Sequence, residues 1–170
     1  MSVLRVSEGG SVIEFSYQDL SKYHGFEFPG GVAHAYKVME RALPVLGDGA
    51  DVERREVHIE TAFSGPGARD SFEMVFRCVT ESRFEVDLAM PAALNTIPSS
   101  SGFYYFEFRY RKRRIALTVR PGQVRDEFVE LGRKPDRTES EEVQLTEMKS
   151  EMANRLMQQS ADAVYDVSIL

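Results

Sequence analysis

Residues 102–119 read GFYYFEFRYRKRRIALTV. Tyr104, Phe106, Phe108 and Tyr110 alternate with smaller or polar neighbours, so they fall on one face of an extended chain. RIALTV, 114–119, is a second apolar stretch. The basic run RKRR between them reads as a hairpin turn, although it lacks the Asn-Gly pair that favours such turns. Two antiparallel strands with one aromatic face require a cover, and the rest of the chain must supply it.

Upstream, RFEVDLAM, 83–90, reads as a strand, and PAALNTIPSSSG, 91–102, as a loop. VERREVHIETAF, 52–63, reads as one strand, with Val57, Ile59, Thr61 and Phe63 on one face and Glu56, His58 and Glu60 on the other. Two helices lie before and after it. In the first, which begins after Pro29-Gly30, Val32, Tyr36, Met39, Leu43 and Leu46 share a face; Pro44 distorts its last turn and Gly47-Asp48-Gly49 closes it. The second, DSFEMVFRCV, follows a glycine-rich turn, SGPGARD, and aligns Phe72, Val75, Phe76 and Val79. A short strand VLRV ending at Gly9-Gly10 opens the chain, and Ser16 with Asp19 forms a capping box for a short helix, YQDLSKY. After Pro121 the pattern weakens. Thr138 and Glu141 form a second capping box for a helix carrying Leu145, Met148, Met152 and Leu156, and SADAVYDVSIL reads as a turn and a tail.

The order helix, strand, helix, three strands, C-terminal helix predicts an α+β fold: a mixed or antiparallel sheet covered by helices. A chain of 170 residues fits one domain, 1–170, with a core over about 12–125 and a C-terminal helical segment over about 138–167.

Composition narrows the function classes. The net charge of −6 argues against nucleic acid and anionic membranes as partners. One cysteine, Cys78, excludes an intrachain disulfide and a four-cysteine zinc site. No signal peptide or membrane span is indicated, which leads to the expectation of a cytoplasmic protein.

Few residues carry chemistry. His24 lies in a turn before a helix N-terminus, where ligands collect, but a lone histidine is more often a hydrogen-bonded structural residue. His34 sits off the apolar face of its helix and joins His24 only if the turn folds back. His58 points to the polar face of its strand. Cys78, read as part of the second helix, is expected to be a small core residue, since a nucleophile needs a neighbouring base. SGPGARD lacks the lysine and spacing of a P-loop. No catalytic triad or cofactor fingerprint emerges, so a catalytic role is disfavoured.

DLSKYHGFEFPGG, 19–31, resembles the entry motif of the FmdE-like family of formylmethanofuran dehydrogenase components, D-L-x-x-F-H-G-H-x-C-P-G; Asp19, Leu20, His24, Gly25, Pro29 and Gly30 match in place. SGPGARDSFEMVFRCV, 64–79, is similar to its second motif, with Asp70 and Cys78 aligned. YFEFRYRKRRIALTVR and LMQQSADAVYDV resemble the hairpin and closing segment, so the likeness spans about residues 12–167 in the same order. It implies a homodimer, with the first long helix and the methionine-bearing C-terminal helix as candidate faces, and metal binding by histidine and cysteine from the two motifs. This chain departs there. Phe26 and Phe28 stand where the family has histidine and cysteine, and the second cysteine falls near Gly67. The family's cysteine-rich zinc module has no counterpart in these 170 residues. One imidazole does not hold zinc tightly. The resemblance therefore implies a rebuilt pocket formed by His24, Phe26, Phe28 and Gly67. Its expected occupant is a small ligand, a haem with His24 as axial ligand, or a weakly held zinc or iron at His24 and His34 with a carboxylate such as Glu27. The alternatives are an accessory dimer with a degenerate site, or one component of a molybdenum or tungsten oxidoreductase.

Overall fold

Gly9 and Gly10 both have positive φ, 57° and 85°, the backbone that a two-residue hairpin turn demands. They join β1 (Leu4–Glu8) to β2 (Ser11–Phe15) in a computed structural model that describes residues 2–170. Ser16 then caps α1 (Tyr17–His24): its side chain accepts from the Asp19 amide while the Asp19 carboxylate accepts from the Ser16 amide. α2 (Pro29–Gly47) follows, with Pro44 inside its last turn, and β3 (Val52–Glu53) pairs in parallel with β1. The expected strand 52–63 is broken by a 3-10 turn at Arg54–Glu56, so β4 (Val57–Phe63) is a separate strand. Arg54 explains the break. Its buried guanidinium turns away from the strand line to donate to the carbonyls of Val75 and Met74, both at 2.6 Å, at the end of α3 (Pro66–Phe76).

β5 (Phe84–Val86) is shorter than expected, and a 3-10 turn at Pro91–Ala93 lies in the loop after it. β6 (Gly102–Tyr110) and β7 (Arg113–Val119) form the predicted hairpin, with Tyr110 opposite Arg113. Arg111 takes the left-handed conformation at φ 54° without an Asn-Gly pair. Its guanidinium is tethered to Glu56 at 2.7 Å and lies 4.8 Å from the Tyr110 ring centre. α4 (Asp126–Arg133) has no counterpart in the sequence pattern. α5 (Glu139–Met157) begins at the Thr138–Glu141 capping box, as expected. The closing segment is not a tail: α6 (Ala161–Val164) leads into β8 (Tyr165–Ile169), which pairs antiparallel with β7.

The result is the expected α+β architecture with a mixed sheet, ordered β5-β4-β6-β7-β8, parallel only between β4 and β5. The stripe of Tyr104, Phe106, Phe108 and Tyr110 is buried, and Phe72 and Phe76 of α3 pack edge-on against it. A fully buried aromatic side chain contributes about 1.5–3 kcal/mol, so this stripe anchors the helices to the sheet. Leu4 and Val6, before residue 12, and Met152, Leu156 and Tyr165, after residue 125, join the same core, so both ends of the described chain are built into it. Among the described residues, no helix is long and apolar enough to cross a membrane. α2 is buried nearly all round, which removes it as a dimer face.

Candidate functional site

The two glycine-proline stretches of the sequence meet. α2 and α3 both start with proline at their first turn, and neither N-terminus is capped by a side chain. Gly31 and Gly67 let these starts touch backbone to backbone. A Cβ on Gly67 would stand 2.7 Å from the Phe28 carbonyl oxygen and 3.0 Å from the Val32 nitrogen. Gly67 is therefore a contact between helices, and a cysteine side chain at this position does not fit without moving backbone.

Beside the two helix starts lies a cleft of about 310 Å3. Its apolar wall is Phe28, Phe63 and Tyr104 with Phe128, Leu145 and Met152 from the C-terminal helices. Its polar groups are Ser64, Ser99, Ser100 and Ser101, the backbone of Gly30, Gly31 and Gly67, and the cations Arg137 and Lys149. No carboxylate lines it, although the chain carries net charge −6. The Lys149 ammonium lies 4.4 Å from the Phe28 ring centre. Arg137 pairs with Glu142 at 2.8 Å and donates to carbonyls at the end of α4, which fixes that helix as one rim. Burial alone raises the Tyr104 hydroxyl above the ordinary phenol range, as expected for a phenol without an ionic partner.

The sequence-predicted residues divide around this cleft. Phe28 and Gly67 line it. Phe26 does not: it is 84% exposed, because Gly25, at φ 93°, turns the chain outward after α1. His24 packs against Phe28, with ring centres 5.8 Å apart, and is not part of the cleft lining. Its Nδ1 is 2.8 Å from an Asp70 carboxylate oxygen, its side chain is 6% exposed, and its Nε2 is buried without a hydrogen-bond partner. The Asp70 carboxylate accepts from Nδ1–H and fixes the orientation of the ring.

His34 has a different setting. It is fully buried, its Nδ1 lies 2.7 Å from the Tyr165 hydroxyl, and its ring stacks at 4.4 Å on Tyr104. Burial, with Arg155 nearby, lowers its pKa to about 3, so it is neutral at ordinary pH. His24 and His34 thus engage separate partners, Asp70 and Tyr165. Among the described residues, no group of three or more histidine, cysteine, aspartate or glutamate side chains is placed to hold a metal. The expected zinc or iron at His24 and His34 does not fit this geometry, and His24, the expected haem ligand, is not among the residues that line the cleft.

Cys78 lies past the end of α3 rather than within it, because Arg77 at φ 56° stops the helix. The turn is held by Glu73, which accepts from the Val79 and Thr80 amides at 2.7 and 3.0 Å. The thiol is fully buried and is pushed up to about 12 by burial, then by Glu73, the setting of an inert core residue.

A broader depression of about 640 Å3 lies on the other face of the sheet, with His58, Glu60, Glu107, Arg109 and Arg114 in its lining. Its charges are mixed and partly paired: Glu107 accepts from Tyr105 at 2.6 Å and from Arg114 at 2.5 Å. The smaller cleft differs in having no carboxylate in its lining: Arg137 pairs with Glu142 outside it, and Lys149 stands against an aromatic wall. Sequence reasoning misses Lys149, Arg137 and Phe128 because they belong to helices that meet the glycine turns only in three dimensions. No known protein-family model matches the chain, and no curated protein matches it significantly.

Proposed function

We propose that this chain is a non-catalytic binding module for a small anionic, largely apolar molecule, held in the cleft between the starts of α2 and α3 and the helices α4 and α5. The observation that carries this reading is the lining itself: two cations, four serines, two uncapped helix starts and an aromatic wall, with no carboxylate. Free amides at helix starts and a cation act together on an anion, and an aromatic wall takes the hydrophobic remainder. The volume is at the small end of ligand sites.

The same reading accommodates a divergent relative of the FmdE-like family, in which an organic anion replaces the metal. Two positions matched in separate motifs, His24 and Asp70, pair in space at 2.8 Å, which supports the likeness. A cytoplasmic location and a homodimer belong to the same proposal.

The test uses 8-anilinonaphthalene-1-sulfonate, an anionic aromatic dye. The protein has no tryptophan, so the dye signal is read without interference from indole. One dye is expected to bind per chain, and Lys149→Glu is expected to weaken it at least about tenfold through lost attraction and added repulsion. Equal binding by the variant would place the dye elsewhere and defeat the reading.

A further inference from the structure

Tyr104 lines the cleft, yet only 2% of it is exposed. His34 and Phe63 cover its ring, with centres 4.4 and 4.8 Å away, so the edge that carries the hydroxyl is what remains for the cleft. That hydroxyl differs from those of its neighbours. Tyr105 donates to Glu107 at 2.6 Å and Tyr165 meets His34 at 2.7 Å, whereas among the described residues the Tyr104 hydroxyl has no partner. Nor is it sealed in. The fully enclosed side-chain atoms without a partner, among the described residues, are Nε2 of His24, Nε2 of His34 and Nε of Arg41. The Tyr104 hydroxyl therefore reaches open space, and the open space that Tyr104 lines is the cleft. Water in an open cleft satisfies such a hydroxyl until a ligand displaces it. A ligand that offers no acceptor then leaves the hydroxyl stranded.

We propose that Tyr104 sets the ligand class of the cleft: its hydroxyl donates a hydrogen bond to a carbonyl oxygen on an aryl carboxylate whose anionic end sits at Lys149. This rests on the binding reading above and specifies its ligand. Lys149 is half-buried against the Phe28 ring and has no ion pair among the described residues, which leaves its charge for a carboxylate. Tyr104 is the more deeply buried of the two, so the phenol marks the inner end of the cleft and the ammonium its outer part. Phe63 and Phe128 in the same lining suit a planar apolar body. A phenol O–H is a good donor, and a carbonyl is an acceptor that brings no donor of its own. A site built around one hydrogen bond discriminates against the analogue that cannot make it, because the group on the protein is otherwise left buried and unpaired.

The experiment displaces the dye from the intact protein with 4-acetylbenzoate and with 4-isopropylbenzoate, which have nearly the same shape and differ in the carbonyl. 4-Acetylbenzoate is expected to displace the dye at about fivefold lower concentration, the scale of one net hydrogen bond. In Tyr104→Phe, which keeps the ring and its stacking, the preference should fall to about one or reverse, because the ketone then gives up its water without gaining a partner. Tyr105→Phe, whose lost hydroxyl served Glu107 on the other face of the sheet, should keep the preference. Since the Tyr104 hydroxyl has no partner in the protein, Tyr104→Phe is expected to lower the melting midpoint by less than about 3 °C. A larger fall would reveal such a partner and overturn this inference. So would equal displacement by both carboxylates, a preference that survives in Tyr104→Phe or disappears in Tyr105→Phe, or a dye that neither carboxylate displaces; each of these leaves the cleft reading intact. A dye that fails to bind the unaltered protein removes both readings.

Discussion

Two imidazoles are buried within ten residues of each other, and they have been given opposite partners. His34 meets a phenol, Tyr165, and stacks on a second, Tyr104, deep under the sheet. His24 meets a carboxylate, Asp70, at the margin of a cleft, where the aspartate is still 30% exposed. The phenol partner asks nothing of the imidazole's charge, and burial then keeps it neutral. The carboxylate partner orients the ring at the cleft margin, and in both histidines Nε2 is buried without a hydrogen-bond partner. One histidine ties the last strand to the first long helix; the other ties α1 to α3. The contrast shows that burial alone does not set a histidine's role: the partner on Nδ1 decides.

The largest consequence is for stability. His34→Ala is expected to cost about 2–4 kcal/mol, from the cavity and the stranded Tyr165 hydroxyl. His24→Ala should cost about 1–2 kcal/mol, because Asp70 is rehydrated when its partner goes. Urea unfolding of both variants checks this. A larger loss at His24 would break the contrast.

Titration comes next. The folded-state pKa of His34 is lowered to about 3 from an ordinary 6.5. Between those values the unfolded chain binds a proton that the folded chain refuses. The stability contributed by the neutral ring is full above about 6.5 and is lost as pH falls towards 3. The slope is about 1.4 kcal/mol per pH unit, so about 2–3 kcal/mol disappears between pH 6.5 and 4.5. His34→Gln should remove one proton's worth of that slope in unfolding measured across the window. His24→Gln should leave the slope from His34 in place. An unchanged slope in His34→Gln would mean that other groups carry the acid sensitivity.

A smaller effect probes the cleft margin. Gly67→Ala places a methyl 2.7 Å from the Phe28 carbonyl, and backbone cannot yield as a side-chain tip does. About 1–3 kcal/mol of destabilisation is expected, with weaker dye binding because the two helix starts separate. Gly122→Ala, where a Cβ meets nothing within 4 Å but φ is 84°, isolates the cost of conformation alone.

The sequence made the hairpin 102–119 legible because its two strands have one buried aromatic face, a period-2 signal that no helix shares. The two capping boxes were legible for a similar reason: Ser16–Asp19 and Thr138–Glu141 are purely local chemistry. β8 was not. It is an edge strand on which Tyr165 is buried and Ile169 is 79% exposed, so only part of one face carries an apolar signal. α4 has two turns and one buried apolar residue, Val129, too few for a helical period to stand out. At the site, the family resemblance implied a pocket shared by His24, Phe26, Phe28 and Gly67, and only Phe28 and Gly67 line the cleft. Gly25 turns Phe26 outward, and the cations arrive from residues more than 100 positions beyond Phe28. Such long-range placement leaves no local trace.

The smallest expected effect falls on the residue the sequence paired with Phe28. Phe26 is 84% exposed, so its ring already sits in water in the folded state and has little burial to lose. Phe26→Ser should change stability by less than about 0.5 kcal/mol. It should also leave dye affinity unchanged, whereas Phe28→Ala removes a cleft wall and the stacking partner of Lys149. The two variants differ by two positions in the chain and by the full depth of the cleft margin in space. If Phe26→Ser weakens dye binding as much as Phe28→Ala does, the exposed ring folds over the bound anion.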